Sequence, residues 1–128
     1  MESMFNRILI LSPHTDDSEL GCGGTAARFV EEGRDVHVIA FSSCEESVPQ
    51  GLPKNILETE WHAALDVIGI APENRTLLHF PVRHFPVHRQ DILQSLIPFR
   101  DHWKPDLVFL PSNQDLHQDH RTIAEEGL

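Results

Sequence analysis

Ile8, Leu9, Ile10 and Leu11 follow one another without a polar break, and the residues behind them turn abruptly polar: Ser12-Pro13-His14-Thr15-Asp16-Asp17-Ser18-Glu19. A strand that alternates apolar and polar residues hides one face. An unbroken apolar run hides both, which suits a strand inside a sheet covered by helices on two sides. Such sheets are parallel, and their ligands gather beyond the carboxyl ends of the strands. One short run therefore constrains both the fold and the place of its chemistry. An imidazole and two adjacent carboxylates stand just past its end. His14 and Asp17 are spaced so that a tight turn entering a helix aims both at one point, with Asp16 beside that point.

The rest of the chain repeats the alternation. Ser18 to Glu32 reads as a helix with Leu20, Gly23, Gly24, Ala27 and Val30 near one face. Its Gly-Cys-Gly-Gly segment weakens helix propensity, which predicts close backbone packing against the sheet, and Gly33 is a helix stop. Asp35 to Phe41 is a second strand, and Ser42 to Lys54 is a loop at the His14 end of the sheet. Leu57, Trp61, Ala64, Leu65 and Ile68 keep a helical period over Ile56 to Ile68, closed by Gly69. Arg75 to Phe80 is a short third strand, and Pro81 to His88 is irregular. Gln90 to Trp103 is a third helix that Pro98 bends or shortens. Leu107 to Leu110 is a fourth strand, Pro111 to Leu116 a polar loop, and His120 opens a last helix. The expected architecture is a single α/β domain over residues 1–128, a three-layer sandwich around a mostly parallel sheet.

Charge and cysteines narrow the function classes. A formal charge of -10 argues against nucleic acid or an anionic membrane as partner. No apolar run reaches the roughly 20 residues of a membrane span, and the N-terminus has no signal-peptide core. Cys22 and Cys44 form no C-x-x-C pair and fit reduced thiols, Cys22 as a small core residue and Cys44 on a loop. The expected location is the cytoplasm.

A second polar cluster, Asn113-Gln114-Asp115-Leu116-His117-Gln118-Asp119-His120, again follows a strand. In a parallel sheet its histidines share an edge with His14. His14, Asp17 and His120 then make a set of two histidines and one carboxylate, a recurrent catalytic zinc set with a position open to water. Zinc brings the pKa of that water toward neutrality, and Asp16 fits the base that takes its proton. His117 is placed to polarise or protonate the reacting group.

Pro13-His14-Thr15-Asp16-Asp17, Glu19-Leu20-Gly21-Cys22-Gly23-Gly24-Thr25 and His117-Gln118-Asp119-His120-Arg121 closely resemble the motifs of the LmbE-like, or PIG-L, N-acetylglucosamine deacetylases. Thr15 departs from the proline usual there. The resemblance implies a Rossmann-like sheet, a divalent metal that is usually zinc, with Fe2+ or another ion compatible, and hydrolysis of acetamido groups on sugars. Carried over by motif position, His14, Asp17 and His120 are the ligands and Asp16 is the general base. His117 stabilises the oxyanion or protonates the amine, and Asp119 orients His117 or His120 from behind. Glu46, on the loop after the second strand, falls near where the family places a substrate-contacting acid, and Arg83 and Arg89 are candidates for an anionic aglycone. The implied partner is a small N-acetylated amino sugar or conjugate, with homo-oligomers compatible. Family members continue well past the second histidine motif, so the C-terminal part of the family fold is expected to be missing from these 128 residues.

Two other readings compete. Gly21-Cys22-Gly23-Gly24-Thr25-Ala26 satisfies G-x-G-x-x-A, a variant of the dinucleotide fingerprint, although the His-Asp-Asp cluster separates it from the strand. A non-catalytic metal- or sugar-binding remnant is the other. His79, His84 and His88 read as rim or surface residues because Pro86 breaks their helical spacing. Trp61 and Trp103 read as helix-face packing.

Overall fold

Strand and helix alternate through the computed structural model, which describes residues 5–15, 17–111 and 117–127, the side chains of residues 17–22 and 47 excepted. The elements are β1 (Arg7–Ser12), α1 (Asp17–Glu31), β2 (Asp35–Ala40), α2 (Ile56–Ile68), β3 (Arg75–Leu77), α3 (Arg89–Pro98), β4 (Leu107–Phe109) and α4 (Gln118–Gly127). The strands form one sheet in the order β3-β2-β1-β4, and every pair in it is parallel. The chain therefore winds outward from β1 through β2 to β3, then returns across β1 to lay down β4. That reversal puts a topological switch point between the carboxyl ends of β1 and β4, where open α/β sheets form a crevice.

The uninterrupted apolar run of β1 serves both faces. Ile8 and Ile10 join Val36, Val38, Trp61 and Leu65 in one core, under α1 and α2. Leu9 and Leu11 join Ile39, Phe41, Phe85, Ile92 and Ile123 in the other. On the first face the helices are regular. Gly69 ends α2 at φ 98°, and a Cβ there would come within 3.1 Å of Val30 Cγ1, so this stop is also a close approach of α2 to α1. Gly24 behaves otherwise: a Cβ there would meet nothing within 4 Å, so close packing does not explain it.

The second face is less regular. Pro98 is the last residue of α3, so the helix expected to run to Trp103 is shortened there. Its missing N–H removes one rung, and the chain widens into a π-helical turn, Phe99–Trp103, closed by the Lys104 N–H donating to the Phe99 carbonyl at 2.7 Å. The rings of Phe99 and Trp103 stand 5.0 and 5.6 Å from that of buried His37, whose Nε2 lies 2.8 Å from Thr76 Oγ1. Burial pushes the His37 pKa below its ordinary 6.5, with Asp35 opposing the shift. β3 is shorter than its apolar pattern suggests, although the Leu78 and Phe80 N–H groups still donate to Ala40 and Phe41. β4 is fastened at its start by Asp106, which accepts the N–H groups of Asn6 and Arg7. The last helix begins at Gln118, two residues before His120, so His120 lies in its first turn.

Candidate active site

Three histidines and a carboxylate converge at the switch point. His14 lies just past β1, and His117 directly precedes α4. The His14 ring centroid is 4.9 Å from that of His117 and 5.3 Å from that of His120, and the latter two are 4.8 Å apart. Parallel strand ends bring the two motifs together across the chain, and the early start of α4 turns His120 toward them.

Asp119 organises the cluster. It is fully buried and accepts the N–H groups of Arg83 on Oδ2 and of Phe85 on Oδ1. With both oxygens accepting, the 2.9 Å contact to His14 Nε2 is a bond the imidazole donates, which leaves the lone pair of the neutral His14 ring on Nδ1. The Asp119 N–H in turn donates to His117 Nδ1 at 3.1 Å, so the neutral His117 ring carries its proton on Nε2. One residue thus sets the tautomers of two histidines. The resemblance expects Asp119 to orient His117 or His120 from behind; its carboxylate bonds His14, and only its backbone reaches His117.

His14, His117 and Asp119 each offer a ligand atom, and these atoms lie within 4.8 Å of one another. Imidazole nitrogens gathered this closely suit a divalent transition ion, so the histidines present fit a metal. Asp16 and the side chain of Asp17 lie outside the described residues.

A cavity of about 330 Å³ opens beside the cluster, lined by His14 and His117 on one side and by Cys44, Glu60, Val82 and Arg83 around it. Glu46 is exposed on a short 3-10 turn, Glu45–Ser47, and is not among the residues lining this cavity. Cys44, read from sequence as a loop thiol, is buried in the cavity wall. Its φ of 59° and that of Arg83, 69°, put two non-glycine residues of the wall in the left-handed region. Sequence reasoning missed Glu60, whose place on α2 gives no signal beyond a charge at the helix's start. It also missed the Arg83–Phe85 backbone, for which the flanking Pro81 and Pro86 were the available sign. Gly21 to Ala26 lie inside α1, so the glycines do not form the turn after β1 that a dinucleotide fingerprint needs. Among the described residues, no helix is long and apolar enough to cross a membrane.

Known proteins share this fold. The conserved protein TT1542 of Thermus thermophilus superposes with a TM-score of 0.75 at 32% identity over 97% of this chain and 54% of its own. The N,N'-diacetylchitobiose deacetylase of Pyrococcus horikoshii gives a TM-score of 0.85 over 97% of this chain and 48% of its own; at 21% identity that likeness is one of fold. A 1D-myo-inositol 2-acetamido-2-deoxy-alpha-D-glucopyranoside deacetylase of Rhodococcus opacus is 45% identical over 40 residues, which is 31% of this chain and 14% of that protein. The chain spans about half the length of the two solved structures. The sequence profile of the PIG-L family, described as GlcNAc-PI de-N-acetylase, matches residues 9–128, and the chain belongs to that family.

Proposed function

We propose that this chain carries the catalytic half-site of a metal-dependent N-deacetylase that hydrolyses the acetamide of an N-acetylglucosamine-type sugar or conjugate. The observation that carries the reading is the meeting of His14, His117 and His120 around buried Asp119 at the carboxyl edge of the sheet.

His14, Asp17 and His120 would hold the ion, zinc in the first instance. Asp119 is a poor candidate for a ligand, because three donors already occupy its two oxygens. Its bond to His14 Nε2 instead orients that ring and raises its basicity at Nδ1. A divalent ion bound there supplies a Lewis acid that polarises the acetamide and brings the pKa of water toward neutrality. Asp16 takes the proton of the attacking water on a carboxylate oxygen. Water oxygen bonds to the acetyl carbon, the carbon–nitrogen bond breaks, and the nitrogen leaves with a proton as the free amine while acetate forms. His117, with its proton held on Nε2 by the Asp119 N–H on Nδ1, is poised to donate to the developing oxyanion or to the departing nitrogen. The charge of -10 favours a small-molecule partner over nucleic acid, and cysteines without a C-x-x-C pair favour a reducing, cytoplasmic setting.

Metal content and amine release, measured together, test the roles. Asp16→Ala should keep the metal and lose hydrolysis by about 100-fold or more. His117→Ala should also keep the metal, and Asp17→Ala or His120→Ala should lose it. Loss of metal from His117→Ala with retention in His120→Ala would overturn the ligand set in favour of His14, His117 and Asp119. Metal bound without turnover in every N-acetylated sugar tried would favour a binding role.

A further inference from the structure

The two outer strands of the sheet are finished differently. β3 carries a charged residue, Arg75, whose guanidinium bonds the Ile70 carbonyl and Asp66, and its Thr76 is tied to His37. A charge on the strand is one of the ways proteins keep an edge from pairing. β4 has none. From Leu107 to Pro111 the chain reads Leu-Val-Phe-Leu-Pro, and the neighbouring carboxylate, Asp106, is turned inward to accept the N–H groups of Asn6 and Arg7. Among the described residues β1 is the only strand beside β4, so its outward N–H and C=O groups are open to a further strand.

An apolar trough of about 400 Å³ lies along the same edge, on the face of α3 and α4. Val108 stands in register with Leu9 and so points to that face, yet it is 36% exposed. Leu93, Leu96, Ile97 and Phe99 line the trough with these two and are only half-buried. The charged residues of the lining are Arg100 and Lys104 with Glu126. In a chain of net charge -10, two cations against one carboxylate make this a face that a second acidic chain can approach.

We propose that this face joins two copies of the chain, with β4 pairing antiparallel to β4 of the second copy about a two-fold axis at Val108. The strand is its own complement in that arrangement. Val108 stands opposite Val108 of the other copy, and Leu107 opposite Phe109 in both directions, so apolar residues meet on each side of the sheet. A two-fold contact uses one patch twice, and both troughs are covered at once. The four-stranded sheet doubles into one continuous sheet, a size that open sheets commonly reach. The pairing is independent of the deacetylase reading and uses none of its residues.

Sedimentation of the full chain over a dilution series tests it. The wild type should be a dimer at about 100 μM and dissociate on dilution, and added salt should strengthen it by screening the shared negative charge. Val108→Lys sets like charges directly opposite one another and should give a folded monomer, because Val108 already reaches the surface. Val67→Lys, at an 89% exposed position on α2, should leave the dimer intact. Val108→Cys should oxidise to a dimer cross-linked through that residue, since directly opposed positions lie within disulfide reach. A wild type that stays monomeric across the series, or a dimer that survives Val108→Lys, would overturn the proposal. So would a Val108→Cys dimer that does not cross-link. A monomer whose trough takes up decanoate, and loses it on Leu96→Trp, would make the face a ligand pocket and likewise overturn the pairing.

Discussion

The two faces of the sheet are built from the same strands and put to different uses. Beneath α1 and α2, Ile8, Ile10, Val36, Val38, Trp61 and Leu65 make an apolar layer under regular helices, with the Arg75 guanidinium bonded to Asp66 at its edge. Beneath α3, the π turn and α4, the apolar residues share the space with His37 and Asp119, both buried and both bonded. On that side also lie the π-helical turn, left-handed Lys104 and left-handed Arg83. Irregularity collects on the face that carries His37 and Asp119. The regular face supplies burial that is indifferent to what the other face does, and the irregular face spends part of that stability on polar groups held in fixed places.

Truncations on the two faces should separate these roles. Leu65→Ala on the apolar face should cost about 3 kcal/mol in denaturant unfolding. Below its transition it should leave KM and metal affinity unaltered. Asp119→Ala should cost a similar amount, about 3 kcal/mol, because two buried N–H groups and His14 lose their acceptor. It should also weaken metal binding and expose the 82–85 segment to proteolysis. If both variants left ligand affinity intact, the faces would not differ in the way described.

A smaller test lies at His37. Folding favours its neutral ring, while the unfolded residue takes a proton near the ordinary value of 6.5. The folded pKa is lowered, so this contribution to stability is complete above about pH 6.5 and is lost as pH falls through the folded value. His37→Gln can keep the bond to Thr76 without titrating. Between about pH 7.5 and 5.5 its unfolding midpoint should fall less than that of the wild type, and an equal fall would remove His37 as the cause. The smallest effect belongs to Lys104→Gly, which relieves φ 56° and should raise stability by about 0.5 kcal/mol, read as a shift of the urea midpoint.

The regular face was the legible one. The period of Leu57, Trp61, Leu65 and Ile68 with its glycine stop delimits α2 as Ile56–Ile68, and the bare apolar run of β1 implies a covered parallel sheet. The irregular face was harder for physical reasons. Pro98 signals a break, but a chain that can widen into a π turn recovers the lost bond locally, and no residue type announces that choice. The start of α4 was misplaced because Gln118 and Asp119 are polar, and the burial of Asp119 comes from bonds to residues 34 and 36 positions away. The gathering of His14, His117 and His120 followed from topology. The partner of the Asp119 carboxylate did not, since it depends on where the Arg83–Phe85 backbone passes.

That carboxylate has a consequence in time as well as in space. Its bonds join residues 34, 36 and 105 positions apart, and the longest, to His14, needs the end of β1 and the start of α4 brought together. Contacts this distant in sequence form late and slowly. Until that closure, His14 and the Asp119 carboxylate stand apart. The cluster of His14, His117 and His120 is complete only with the finished sheet.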